Sequence, residues 1–339
     1  MNNNNKTQNI LIIGPAWVGD MVMAQSLFKV LVTRFPEAKI DVMAPGWSKS
    51  LLERMPEVAG ALDMPLGHGQ LQLGLRRQLG RSLRGQYDQA YVLPNSLKSA
   101  LVPFFANIPT RVGYVGELRW GLLNDARKLP KKILTKTVQR FVALGLARSA
   151  PPPQTWPYPR LVIDPDNANA ALDQLKLNAE RPILALCPGA EYGPAKRWPE
   201  AHFAEVAKQK RTAGWQTWIF GSEKDQPVGQ TIQAQVGDGC IDLTGKTSMA
   251  QAIDLMSLAT AVVSNDSGLM HVAAALDKKI IALYGSSDPH FTPPLHEQAD
   301  ILSLHLDCSP CFKRECPLGH LNCLNNLSPD QVLAKLGDQ

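Results

Sequence analysis

Apolar and polar residues along this chain change their period repeatedly. The runs "NILIIG", "KIDVMAP", "QAYVLPN" and "RVGYVG" in the first half are compact, apolar and closed by turn residues, and they read as strands. In the second half "PILALCPG", "WQTWIFGS", "CIDLTG", "AVVSNDSG" and "KIIALYG" have the same character. Stretches with helical spacing of apolar positions lie between them, such as "PEAHFAEVAKQKRTAG" and "SMAQAIDLMSLATA". Strands that alternate with helices predict parallel sheets covered on both faces, an α/β architecture. The segment "SAPPPQTWPYPR" interrupts the alternation, because so many prolines exclude helix and central strand. It predicts a first domain over 1–150, a linker over 151–160 and a second domain over 161–339. Open α/β sheets bind ligands beyond the carboxyl ends of their strands, so a cleft between two such domains is the expected site.

Composition changes this picture little. With 339 residues, 45% apolar and 19% charged, the chain suits two globular domains. No charge-free apolar run approaches the ~18 residues that span a bilayer. The initial "MNNNNKTQN" is polar and lacks an apolar signal core, so a frayed tail and a cytoplasmic protein are expected. Charge is more informative. Residues 1–150 carry 20 Lys and Arg against 9 Asp and Glu, and the remainder carries 15 against 21. A basic first half suits an anionic partner such as a phosphorylated lipid, a membrane surface or nucleic acid, although a solvated basic surface gives the same count.

The strand-to-helix turns carry the candidate chemistry. "GPAWVGDM" spaces Gly14 and Gly19 like a phosphate-cradling loop, but Asp20 and Met21 stand where lysine and a hydroxyl residue belong. With the helix expected from Met21, Asp20 reads either as a helix cap or as a carboxylate aimed at the cleft. "VVSNDSGLMHVAAAL" turns at Asn265–Gly268, where the amides of Ser267, Gly268 and Leu269 lack intrahelical partners and suit phosphate oxygens. An ordinary N-cap at Asp266 or Ser267 explains that turn equally well. In "CPGAEYGPAKRWP", Gly189 and Ala190 expose backbone amides, and Lys196 arrives just before the next helix as a diphosphate partner or a plain surface lysine. In "WIFGSEKD", Glu223 lies just past a strand end, where acids accept ribose hydroxyls or merely meet solvent. No G-x-G-x-x-G follows a strand. "GHGQLQLG" has the wrong spacing, which argues against a nicotinamide or flavin dinucleotide enzyme, and no cofactor is expected.

Taken with "DVMAPGW", "MPLGHG", "YVLPNSLKSALVPFFANIP", "GLLND" and "LYGSSDPHFTPP", these motifs resemble the bacterial ADP-heptose:lipopolysaccharide heptosyltransferases, glycosyltransferase family nine, over roughly residues 9 to 335. "YVLPNSLKSALVPFF" and "FTPPL" point within that family to enzymes that add the second heptose. The resemblance implies two facing Rossmann-like domains of the GT-B type, the first for a lipid acceptor and the second for ADP-heptose. It implies an inverting, metal-independent transfer of L-glycero-D-manno-heptose to heptosyl-Kdo2-lipid A, at the cytoplasmic face of the inner membrane. Asp20 matches the family's proposed base. Lys196, Glu223, Asp266, Ser267, Gly268 and His271 fall on its donor positions, with Lys196 stabilising the leaving diphosphate and Asp266 meeting heptose hydroxyls. On the acceptor side Asn95, Ser96, Lys98 and Ser99 close a strand, and Arg111 and Arg119 follow as expected partners of phosphates and carboxylates. Arg76, Arg77, Arg81 and Arg84 form either a headgroup-binding or a solvated helix face.

Other readings carry less. Asp164-Pro165-Asp166 is the chain's D-x-D, but its proline and its place before a helix favour a cap over a metal pair. An epimerase or oxidoreductase needs a dinucleotide fingerprint, and no recognition motif supports nucleic acid. A different heptosyltransferase of the same family, acting on the first or a later heptose, shares the donor motifs. Cys308, Cys311, Cys316 and Cys323 are compatible with a structural zinc or iron–sulfur centre. Their x2, x4 and x6 spacings depart from paired knuckles, so packed free thiols are expected. Cys187 and Cys240 read as ordinary strand residues.

Overall fold

The computed structural model describes residues 8–67 and 69–337. The polar tail over residues 1–7 and His68 of "MPLGHG" lie outside the described residues. The chain divides into two compact units, Met1–Pro159 and Arg160–Gln339. Among the described residues, each unit is built on one six-stranded, wholly parallel sheet.

The first sheet contains β1 (Asn9–Ile13), β2 (Lys39–Ala44), β3 (Gly60–Asp63), β4 (Gln89–Val92), β5 (Thr110–Tyr114) and β6 (Asp125–Arg127), in the order β3-β2-β1-β4-β5-β6. The second contains β7 (Ile183–Cys187), β8 (Gln216–Ile219), β9 (Cys240–Asp242), β10 (Ala261–Asn265), β11 (Lys279–Leu283) and β12 (Asp300–Leu302), in the order β12-β11-β10-β7-β8-β9. Counted within each unit these are the same doubly wound order, 3-2-1-4-5-6. The central strands are mainly apolar because helices cover both faces, and β7 and β10 are buried at every residue. Leu11, Ile13, Val92 and Val102 anchor the first core. Leu184, Phe203, Ile232, Val263 and Ile281 anchor the second.

This order places the switch point of each sheet between two particular strands. In the first unit β1 and β4 are neighbours, and in the second β7 and β10 are. Chain directions diverge there, opening a crevice at the carboxyl ends. The turns that leave those four strands begin at Gly14, Leu93, Pro188 and Asp266, and they carry most of the residues singled out above. Among the described residues no helix is long and apolar enough to cross a membrane.

Candidate active site

In the second unit the crevice is built from the turns after β7 and β10. The turn after β7 ends in a tight 3-10 segment, Pro194–Lys196, and the Lys196 ammonium lies 2.5 Å from Asp266 Oδ2 in the turn after β10. Both side chains are largely buried. His271, one turn into the helix Gly268–Ala275, is buried beside them. Burial pushes its pKa down to about 4, with Asp266 opposing the shift and Lys196 adding to it, so the ring is neutral near pH 7. Its Nδ1 has no hydrogen-bond partner among the described residues.

Ser267 occupies the N-cap position of that helix, but its side chain makes no capping hydrogen bond and lies 3.3 Å from Ser264 Oγ instead. The first-turn amides are therefore left for another acceptor. The acid expected to serve heptose hydroxyls, Asp266, is ion-paired to the cation expected to serve diphosphate. Sequence spacing gave no sign of that pairing across 70 positions.

Gly189 has a second reason to be glycine. A Cβ at that position would stand 2.6 Å from the Asp225 carboxylate, which accepts hydrogen bonds from Ser222 N–H and Oγ. Ala190 is buried, and its carbonyl accepts the Gly193 N–H. Glu223 opens the turn after β8 and is exposed. Asn265, the last residue of β10, was not singled out from the sequence. Its Oδ1 accepts the Trp198 N–H at 3.1 Å and its Nδ2 donates to the Pro188 carbonyl at 2.7 Å, tying both ends of the Lys196 turn to β10. An asparagine closing an otherwise apolar strand run is the sequence signal that could have found it, because a buried amide needs hydrogen-bond partners.

In the first unit the helix after β1 is Val18–Arg34. It begins at Val18, earlier than the expected Met21, with extended Trp17 at the cap position. Asp20 is therefore not a helix cap. It sits half-buried in the first turn, where the helix dipole favours a negative charge.

The turn after β4 contains exposed Asn95 and half-buried Ser96 and Lys98. Arg119 was expected to reach acceptor charges, but the residue is only 1% exposed. It donates to the carbonyls of Pro94 (2.6 Å), Ser96 (3.2 Å) and Tyr114 (2.9 Å), to Ser99 Oγ (3.1 Å) and to Asn95 Oδ1 (3.2 Å). Desolvation lowers its pKa to about 10, against the pull of Glu117. It shapes the Asn95–Ser99 turn from behind. Arg111 likewise donates to Leu122 and Ile108 carbonyls. Arg76 is no part of a solvated face either, since it donates to Leu71, Lys98 and Gln70 carbonyls, whereas Arg77, Arg81 and Arg84 are exposed. Part of the basic charge of this half is thus internal.

Asp164 is the N-cap of the helix Pro165–Leu175 and accepts from the Asp166 and Asn167 amides at 3.1 Å, as its sequence context suggested. Burial raises the thiol pKa of Cys187 and Cys240, both inside the second sheet.

The chain as a whole is similar to known proteins. The chain is 50% identical to lipopolysaccharide heptosyltransferase 2 of Salmonella typhimurium, with 96% of this chain and 97% of the relative covered. It is 48% identical to lipooligosaccharide heptosyltransferase 2 of Haemophilus influenzae, with 97% and 99% covered. The solved structure of Escherichia coli ADP-heptose lps heptosyltransferase II superposes with a TM-score of 0.87 at 46% identity, covering 97% of each chain. A glycosyl transferase family 9 structure from Veillonella parvula, at 20% identity and a TM-score of 0.84 with 99% and 97% covered, shares the fold. The sequence profile of glycosyltransferase family 9 (heptosyltransferase) matches residues 76–322, and with this identity along the whole chain the protein belongs to that family of glycosyltransferases.

Proposed function

We propose that the protein transfers L-glycero-D-manno-heptose from ADP-heptose to heptosyl-Kdo2-lipid A, with inversion and without a catalytic metal ion. The observation that carries this reading is the Lys196–Asp266–His271 cluster at the β7/β10 switch point, set against a helix start whose amides have no side-chain cap. The names of the relatives supply the donor and the lipopolysaccharide context.

The chemistry follows from charge. As the acceptor hydroxyl attacks the anomeric carbon, its proton passes to the Asp20 carboxylate and the bond from that carbon to the diphosphate oxygen breaks. The electron pair leaves on ADP, and attack from the opposite face inverts the centre. Negative charge grows on the diphosphate, where the Lys196 ammonium and the amides around Ser267 and Gly268 stabilise it more than they stabilise the ground state. A helix terminus and a lysine supply the positive field that a divalent ion gives in other transferases. As diphosphate engages Lys196, Asp266 is released toward heptose hydroxyls, and neutral His271 offers a hydrogen bond without adding charge. Gly189, Ala190 and Glu223 border the nucleotide. Asn95, Ser96 and Lys98 meet the acceptor on a turn that Arg111 and Arg119 hold in shape. Exposed Arg77, Arg81 and Arg84 suit transient contact with anionic headgroups.

The test is incubation with ADP-heptose and Kdo2-lipid A acceptors, with and without the first heptose. Product from the heptose-bearing acceptor alone is expected, and product only from the heptose-free acceptor would overturn the acceptor assignment. Asp20→Asn is expected to keep ADP-heptose binding and lose about 10²- to 10⁴-fold in kcat. Turnover near wild type would remove Asp20 as the base.

A further inference from the structure

We propose that Cys308, Cys311, Cys316 and Cys323 bind one thiophilic divalent metal ion, zinc or iron(II), in a tetrahedral site behind the Lys196 turn. This goes beyond the transfer reaction and does not depend on it.

All four thiols line one cavity of about 20 Å³, room for a single small occupant, together with Ala195, Ser286 and His320. The thiols are free and half-buried, placed between solvent and core. The backbone N–H groups of Leu321, Leu318, Gly319 and His320 converge on the Cys316 sulfur. Gly319 makes that turn possible with φ +71°. Among the described residues no three His, Cys, Asp or Glu side chains are grouped so as to hold a metal ion, so binding requires the four sulfurs to draw together around it.

The chain from Ser303 to Leu321 also needs a staple. It has no helix or strand between β12 and the short helix Asn322–Asn325, and ordered loops of this length are uncommon without one. This loop backs the Lys196 turn. The Arg314 carbonyl accepts the Ala195 N–H at 3.0 Å, and the Phe312 carbonyl accepts Tyr192 Oη at 2.8 Å. A Cβ on Gly193 would strike the Arg314 backbone. On its other side the loop is tied to the end of β11, where Phe312 N–H donates to Ser286 O at 2.7 Å and Ser309 Oγ donates to Gly285 O. An ion joining residues 308, 311, 316 and 323 would clamp both arms of the loop and fix the surface on which Lys196 rests.

The full chain, purified under reducing conditions and dialysed after exposure to zinc, should retain about one ion per chain. Cobalt(II) loaded into wild-type protein should give thiolate-to-metal charge-transfer absorption and the visible bands of a tetrahedral sulfur site. Cys316→Ser and Cys323→Ser should each weaken cobalt binding at least about tenfold. Thiol reagents should modify these cysteines much faster after chelation than before. The proposal is overturned if wild-type protein shows neither a stoichiometric ion nor the cobalt spectrum. Iron accompanied by acid-labile sulfide, or disulfides found among the four by thiol counting, would overturn it equally. The cobalt measurement uses the unmodified chain, so an unstable variant cannot mask the result.

Discussion

Asn265 gives the sharpest test of how the crevice at the β7/β10 switch point is held. It is fully buried, as are Trp198 and Pro188, whose amide and carbonyl it satisfies. Asn265→Ala leaves one donor and one acceptor without partners. At about 1–3 kcal/mol for each orphaned buried group, the local cost is about 2–6 kcal/mol. Because every 1.4 kcal/mol is tenfold, opening of β7 and β10 should become about 30-fold to about 20,000-fold more frequent. Hydrogen exchange read by mass spectrometry on peptides spanning 183–198 and 261–268 measures this directly, with no assumption that both units unfold together. Asn265→Asp refines the test. One carboxylate oxygen can still accept from Trp198, but the other faces the Pro188 carbonyl with no proton between them. Burial and that repulsion raise the folded-state pKa of the introduced acid. The penalty is therefore full above that pKa and is relieved as pH falls, when the protonated oxygen can donate to Pro188. Exchange in this variant should slow on acidification relative to Asn265→Ala. If Asn265→Ala speeds exchange at these strands by less than about fivefold, the two hydrogen bonds do not hold the turn and the argument fails.

Two further outcomes follow from the same cluster. Lys196→Ala should destabilise the second unit, because Asp266 stays buried without its cation, and adding Asp266→Asn should recover that stability in urea unfolding. The double variant should still turn over about 10²- to 10³-fold more slowly, since the field on the leaving group is gone, and near-normal turnover would separate Lys196 from catalysis. His271 keeps its ring neutral in the fold down to about pH 4, whereas an unfolded histidine protonates near 6.5. The unfolded chain binds the extra proton between those values, so stability present above pH 6.5 is lost as pH falls through the window. Wild type should lose about 2 kcal/mol more than His271→Gln between pH 7.5 and 5, and identical pH profiles would place the ring in solvent.

The central strands were legible because burial on both faces forces apolar runs, Ile10–Ile13 in β1, all of β7 and Ala261–Val263 in β10. The edge strands β3, β6 and β12 were not. They are short and half-exposed, and their pairing is dictated by the neighbouring strand more than by their own side chains. Turns after the central strands could be read for glycine, proline and charge, which placed Lys196, Asp266 and Ser267 in plausible chemistry. What each charge faces could not be read. Arg76, Arg111 and Arg119 look like an anion-binding surface in the sequence. In the fold their guanidiniums bond backbone carbonyls, mostly in turns, a pattern with no sequence period. The Lys196–Asp266 pair and the Asn265 bridges likewise join positions about 70 apart, whose proximity exists only once β7 and β10 are paired.

The shared strand order explains how one topology serves two opposite needs. Each sheet ends its switch-point strands beside a helix start, and an unmodified helix start attracts anions. In the first unit that attraction is met internally: Asp20 sits in the first turn of Val18–Arg34, so the position offers a carboxylate and repels phosphate. In the second unit the acid, Asp266, precedes the helix Gly268–Ala275 and is matched by Lys196, which leaves the amides and their partial positive charge uncancelled. A difference of a few residues in where the acid falls, and one lysine brought from the neighbouring turn, reverses the sign of the local field. If that sign is what separates the roles, moving the acid should move the preference. On the proposed roles, Asp20→Lys should create affinity for inorganic phosphate in the first unit and abolish transfer, because the acceptor hydroxyl would lose the group proposed to take its proton.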